Sequence, residues 1–417
     1  SKQSNIAGME AVRRFLWVSL AVVCAYVGLV SSQGSQHTLR TCKARLQNPQ
    51  TVNRFLAEVS ESMMKHYQYG DGFVFSYPKV FHKFIQLLTL GSAEIKKEAK
   101  SYIGLPDDVT CDTLYCEAFN SIIDEMNTRQ TGYISYASDL YYSSRKLLKT
   151  GIFDDCFRDK ISNDFSDLAA TRKTLGEAYK KFMGKSYDQY LEKDLNPSTD
   201  FYMLSGLDVS PLVFREYQKY PSTEQFTDIK GEQKTVEWLE TKGFAYFDQK
   251  IEEGKTVKLY LNTLNITNGP TQLQMMYLQP IFTTEGTMDK RLFMIKIFKN
   301  IGQYITSTTN MNGGGTPLKS LRVPVIEVKT DADLVDILTS VQDDITKSNQ
   351  INNLFTSLTT VYELRTLEYF DNKFRGDNED LACMQPSATR EETINSPFVF
   401  ALVDVSSSMP LRVGAYF

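Results

Sequence analysis

Two apolar runs near the C-terminal end stand apart from the mixed patterning elsewhere: Pro397-Phe398-Val399-Phe400-Ala401-Leu402-Val403-Asp404 and Leu411-Arg412-Val413-Gly414, parted by Ser406-Ser407-Ser408. Unbroken apolar runs bounded by a polar turn predict two buried strands joined as a hairpin. Farther upstream, Val52, Phe55, Leu56, Val59 and Met63 recur at helical spacing with Glu58, Glu61 and Lys65 elsewhere, which predicts an amphipathic helix over Val52–His66. Phe73-Val74-Phe75 predicts a short buried strand. Pro78 then opens a second helix, where its missing N–H leaves no bond unmade. Ile85, Leu87, Leu88 and Leu90 make that helix apolar on most sides, so a central position is expected.

The second half reads as strands: Gly243–Phe247, Thr256–Leu261, Leu273–Leu278 and Arg322–Val328, with turns at Glu253-Gly254 and Asn268-Gly269-Pro270. Asn312–Gly315, with three successive glycines, predicts a loop, because glycine forfeits most entropy inside a regular element. Helices early and strands late, without strict alternation, predict an α+β domain. No interdomain linker is evident.

Composition narrows the function more than the fold. With 42% hydrophobic residues the chain is globular, and a formal net charge of -4 gives no basic footprint for nucleic acid. Arg13-Arg14 followed by the apolar stretch Phe15–Val30 and Ser31-Ser32 predicts a secretory signal peptide over 9–32, with 1–8 as upstream translation and the folded domain over 45–417. No second apolar run is long enough to span a bilayer. Removal of the signal takes Cys24 and leaves Cys42, Cys111, Cys116, Cys156 and Cys383, an odd number. Cys111 and Cys116 are close enough to bridge a loop, but spacing leaves the connectivity open. Asn265-Ile266-Thr267 is a sequon next to a turn, which makes Asn265 the candidate glycosylation site.

Catalysis finds little support. Outside the N-terminal tail the histidines are His66 and His82, both on expected helices, and no Gly-x-Ser-x-Gly elbow is present. They read as surface or satisfied core histidines. No Cys or His pair other than Cys111 and Cys116 has metal-ligand spacing, so neither a metal nor a cofactor is expected. Tyr133, Tyr136, Tyr141 and Tyr142 either line a ligand cavity or form core and cross-strand pairs.

The C-terminal pattern of Pro-Phe, an apolar run, Asp404 and Gly414 resembles the signature of the serpins. Five further stretches are similar to family motifs in order and spacing: Phe75-Ser76-Tyr77-Pro78 into the helix to Gly91; Ala137-Ser138-Asp139-Leu140-Tyr141; Thr223 to Phe226 with Gly231 and Lys234-Thr235-Val236; Val257–Leu261 with Leu273–Pro280; and Val323–Glu327 with Asp333-Leu334 and Leu338. The resemblance implies three β-sheets surrounded by about eight or nine helices, with an exposed reactive-type loop near the C terminus. In inhibitory members that loop is cleaved and its hinge inserts into the main sheet.

The strand entering the loop resembles Leu364–Tyr369, which puts the hinge at Lys373, Phe374, Arg375, Gly376, Asp377, Asn378, Glu379 and Asp380. An inserted hinge buries alternate side chains. One parity buries Lys373, Arg375, Asp377 and Glu379; the other buries Phe374, Asn378 and Asp380. Either way an unpaired charge goes inside, at a cost of several kcal/mol. Lys79-Val80-Phe81-His82, Glu363 and Ser205-Gly206 also depart from inhibitory members where strands must part. The candidate scissile region holds Cys383, Met384, Gln385 and Arg390, the last being a side chain that trypsin-like proteases favour. Cys383 either pairs within the chain and tethers the loop, links two chains as a disulfide-bonded dimer, or remains a free thiol.

The expectation is a secreted, extracellular, non-inhibitory serpin-like protein that is not an enzyme and binds a protein or small-molecule ligand. The rival is an inhibitor of serine or cysteine proteases acting through 378–394, with a protease as its substrate-like partner.

Overall fold

The C-terminal hairpin lies inside the largest sheet, one strand in from its edge. The computed structural model describes residues 36–67, 72–90, 93–144, 156–183, 195, 197, 199, 201–252, 255–265, 272–282, 287–310, 315–333, 365–372 and 388–417. Its helices are α1 (36–46), α2 (Pro49–His66), α3 (Tyr77–Leu90), α4 (Ala93–Ile103), α5 (Tyr115–Arg129), α6 (Leu168–Met183) and α7 (Thr287–Asn310). Its strands are β1 (Gly72–Ser76), β2 (Ile134–Ser143), β3 (Asp159–Asn163), β4 (Phe201–Val209), β5 (Gln218–Lys219), β6 (Glu224–Thr227), β7 (Gln233–Val236), β8 (Trp238–Thr241) and β9 (Phe244–Glu252). They continue with β10 (Lys255–Asn265), β11 (Gln272–Pro280), β12 (Thr316–Pro317), β13 (Ser320–Pro324), β14 (Glu327–Asp333), β15 (Arg365–Asp371), β16 (Glu391–Thr393), β17 (Phe398–Asp404) and β18 (Met409–Tyr416).

The large sheet is antiparallel throughout, in the order β1-β18-β17-β11-β10-β9-β12. Every residue of β17 is buried, because both faces are covered; this is why the run is unbroken rather than alternating. On one face Phe73 of β1 meets Phe298 of α7 at 5.6 Å, and on the other Phe400 stacks on Phe370 of β15 at 4.6 Å. Gly414 is required by that stack: a Cβ there would come within 2.5 Å of the Phe400 ring and 2.4 Å of the Phe73 carbonyl oxygen. A second sheet runs β16-β13-β8-β5, and β6 and β7 form a separate hairpin.

The sheet expected to be the main one is present as two ladders, β3-β2-β4 and β14-β15. No hydrogen-bonded ladder joins β4 to β15 among the described residues. The described residues contain seven α-helices, of which α3 is the central one: Tyr77, Val80, Phe81, Phe84, Ile85 and Leu88 are buried, and so are Lys79, His82, Lys83 and Gln86. α6 covers the other face of β2 and β4 through a smaller core of Tyr141, Phe165, Leu175, Tyr202 and Leu204.

Several expectations are sharpened or corrected. The helix expected from Val52 begins at Pro49, since Asn48 caps it by accepting from the Gln50 N–H at 2.9 Å and proline suits its first position. The strand expected over Arg322–Val328 is two strands in different sheets, broken after Pro324. The Asn372 amide occupies the gap, accepting from the Ile326 N–H at 2.8 Å and donating to the Pro324 carbonyl at 3.1 Å. Cys111 and Cys116 do not bridge each other. The disulfides are Cys42–Cys111 and Cys116–Cys156, because Cys111 precedes α5 and faces α1, whereas Cys116 lies in the first turn of α5 against Thr89 of α3. Those two bridges take up Cys42, Cys111, Cys116 and Cys156; Cys383 lies outside the described residues. The segments 1–8 and 9–32 lie outside the described residues, and no described helix is long and apolar enough to cross a membrane.

Candidate functional site

The outer edge of β4 is where an added strand would have to pair, and the local geometry shows what already occupies it. In the β2–β4 ladder Tyr136 stands opposite Leu207. Asn127, near the end of α5, takes both backbone groups of Tyr136: its Nδ2 donates to the carbonyl and its Oδ1 accepts from the N–H, each at 2.9 Å. Tyr136 and Leu207 are therefore a non-hydrogen-bonded pair, and the Leu207 carbonyl points away from β2. Arg412 of β18, only 8% exposed, donates to that carbonyl from Nη2 at 3.0 Å. Ser205, two residues earlier on β4, is buried with its hydroxyl oxygen unpartnered among the described residues. Glu363 lies outside them.

His82 lies in the same layer. Its Nδ1 is 2.9 Å from the Tyr136 hydroxyl, and its ring is 4.7 Å from that of Phe119. Burial lowers its pKa to about 3, so the imidazole is neutral, a core histidine held by a phenol. His66 ends α2 with its ring 5.0 Å from that of Tyr67. Tyr141 packs in the core under α6 opposite Tyr202, and Tyr142 stands opposite Phe201, which makes them cross-strand residues rather than a cavity lining.

Asp139 lies on the face of β2 that α6 covers, buried, with Oδ1 unpartnered among the described residues. Burial, reinforced by the Asp159 carboxylate opposite on β3, pushes its pKa up to about 6 against the pull of Lys181 and Arg158. The folded pKa lies above the unfolded value of about 3.9, so this group's contribution is full below that value and is lost as pH rises through about 6. Asp139→Asn is expected to flatten that decline. Urea unfolding on either side of the window checks it: equal declines in parent and variant would remove the assignment.

The candidate hinge, Lys373 to Asp380, and Cys383, Met384 and Gln385 lie outside the described residues. Arg390 is described, and it is not in a free loop. Its carbonyl accepts from the Lys319 N–H at 2.8 Å, its guanidinium pairs with Glu392 at 2.6 Å, and it lies 4.3 Å from the centroid of the Tyr246 ring. Glu392 also accepts from Lys258 at 3.1 Å and from the Tyr260 hydroxyl at 3.2 Å. Burial alone would raise Glu392, but Arg390 and Lys258 hold it below the usual carboxylate range. The exposed stretch expected over 378–394 is therefore shorter at its C-terminal end, because 391–393 are strand β16 and Ile394 is buried. Asn265 ends β10 opposite Gln272. Asn127, Arg412, Asn372 and Glu392 were not singled out by sequence: Arg412 and Asn372 act on partners distant along the chain, Glu392 also on Lys258 far upstream, and Asn127 reaches from its helix to a strand residue nine positions on.

Two concavities are open to solvent. One, of about 590 Å³, follows the acidic face of α5 past Glu117, Asp124 and Glu125. The other, of about 450 Å³, lies between the end of β11, the start of α7 and the β16–β17 connection. No group of His, Cys, Asp or Glu among the described residues has the arrangement of a metal site.

No protein-family model matches the sequence, and no curated protein matches it. Solved structures do. A serine protease inhibitor, serpin-12, of Manduca sexta superposes with a TM-score of 0.63 at 15% identity, covering 88% of this chain and 97% of its own. Human glycosylated kallistatin gives 0.63 at 13% identity over 89% and 97%. Mouse protein-Z dependent protease inhibitor gives 0.62 at 13% identity over 90% and 98%. Superposition over nearly nine-tenths of the chain at these TM-scores makes this chain a protein of the serpin fold.

Proposed function

We propose that this is a secreted serpin-fold protein that does not trap proteases, is not an enzyme, and acts by binding a ligand or partner. The observation that carries the reading is the Arg412–Leu207 bond. A strand inserted beside β4 must compete for the Leu207 carbonyl, which sets its ladder against a charge-assisted hydrogen bond worth about 1.5–3 kcal/mol. The charges of 373–380 add to the same barrier. Two disulfides fit an oxidising compartment and support secretion. The rival reading, an inhibitor acting through the loop before β16, is favoured by the names of neighbours such as serpin-12 and the protein-Z dependent protease inhibitor.

The test is incubation with trypsin-like, chymotrypsin-like and papain-like proteases, followed by a denaturing gel and thermal unfolding of the cleaved product. We expect simple cleavage, no complex stable to denaturant, and an unchanged midpoint. A covalent complex, or a midpoint raised by tens of degrees on cleavage, would sink the proposal, because only release of stored strain produces it.

A further inference from the structure

The 450 Å³ cavity beside β16 shares Lys258 and Thr393 with the features above but extends beyond them to the end of β11 and the start of α7, and its size falls within the range of small-molecule sites. Its floor is the buried Gln279 side chain, fixed at both ends. Nε2 donates to Ser396 Oγ at 2.9 Å and Oε1 accepts from the Tyr260 hydroxyl at 3.3 Å. A floor held this way is preorganised, so a ligand spends little in ordering it. One wall is apolar. Ile281 is 38% exposed, one of four large apolar side chains among the described residues that face solvent, and Phe282 stands next to it.

The charges around the cavity do not cancel. Asp228 is satisfied by the N–H groups of Lys230 and Glu232, each at 2.9 Å, and by Lys234 at 3.5 Å. Lys258 is paired with Glu392, which already holds Arg390. Lys290, in the first turn of α7, meets no carboxylate among the described residues; its ammonium stands 5.5 Å from the centroid of the Phe282 ring. Among the described residues the result is a cation without a carboxylate partner above an apolar wall and a polar floor.

We propose that this cavity binds a small organic anion with an aromatic or branched apolar body, its anionic group on Lys290 and its body against Phe282 and Ile281. This rests on the binding role given above and names its site. A polar or basic ligand would leave Ile281 exposed or oppose Lys290.

The probe is anilinonaphthalene sulfonate, with the neutral phenylnaphthylamine as its uncharged counterpart, each titrated by fluorescence against the intact protein. One sulfonate is expected per chain. Lys290→Glu is expected to weaken the sulfonate about tenfold, the worth of one charge-assisted contact, and to leave the neutral dye unchanged. Ile281→Asp is expected to weaken both. Circular dichroism and the unfolding midpoint establish that both variants are folded. Unchanged sulfonate affinity in Lys290→Glu, or no effect of Ile281→Asp on either dye, overturns the proposal. Dye binding as described in a protein that also traps a protease supports this site while removing the proposed function. Absence of both trapping and dye binding removes this site alone.

Discussion

Replacing Cys116 and Cys156 together by alanine is expected to lower the unfolding free energy by about 4 kcal/mol, the chain-entropy value for closing a loop of 40 residues. Both half-cystines are fully buried, so a small void adds to the loss. The bridge also fastens three elements. Cys116 Sγ lies 3.1 Å from Thr89 Oγ1 on α3, and the Cys156 carbonyl accepts from Gln86 Nε2 of the same helix at 3.5 Å. Losing it frees the start of α5 and the approach to β3 at once. The Cys42–Cys111 bridge closes a longer loop of 69 residues, worth only about 0.5 kcal/mol more by the logarithmic rule. It holds α1, which Lys43–Glu125 and Arg45–Asp108 ion pairs also secure, so its loss is expected to lower the unfolding free energy by a similar amount and also to open 36–46 to local cleavage. Denaturant unfolding of both double variants reads these effects. A Cys116/Cys156 variant as stable as the parent would mean that the bridge does not form in the protein.

The second large effect is expected at Arg129. Asp404, at the end of β17, is fully buried and accepts from Arg129 Nη2 at 3.0 Å, Gln130 Nε2 at 3.1 Å and Ser407 Oγ at 2.5 Å. Arg129→Met removes the counter-charge that Asp404 has among the described residues and leaves an anion in the interior, which costs about 3–5 kcal/mol for a fully buried pair. Since a quarter of the Arg129 side chain is exposed (26%), the lower end of that range is expected. Adding Asp404→Asn should recover much of the loss, because the amide carries no charge, its Oδ1 still accepts from Gln130 and its Nδ2 can donate to the Ser407 hydroxyl in place of the bond it replaces. If Arg129→Met alone is neutral in denaturant unfolding, the carboxylate does not depend on that pair.

How far these features were legible depends on where their partners lie. The β17 and β18 runs and the burial of α3 could be read directly, because a strand or helix covered on all sides must be apolar almost throughout. Asp404 and Gly414 stood out as breaks in those runs. Polar residues that the interior admits were not legible. Lys100 is buried because Asp112 meets it at 2.9 Å, and Arg412 because a carbonyl 205 residues away accepts from it. Local pattern holds no trace of such pairs. The same holds for disulfides: Cys111 and Cys116 are close in sequence but face opposite neighbours. Arg322–Val328 read as one strand because its apolar spacing is continuous, and only a side chain from Asn372 reveals the break.

The place of β17 and β18 in the large sheet bears on how the protein is made. They stand between β1 and β11, whose residues precede them by more than a hundred positions, so on the ribosome the strands on either side exist long before the pair that joins them. Until the hairpin emerges, β1 has no neighbour in that sheet and β11 offers an open apolar edge. Pairings at such sequence separation slow folding and prolong exposure to aggregation. Maturation of this chain is therefore expected to be a late, cooperative event that depends on chaperoned waiting, and lesions in its last strands should act on yield before they act on the finished molecule.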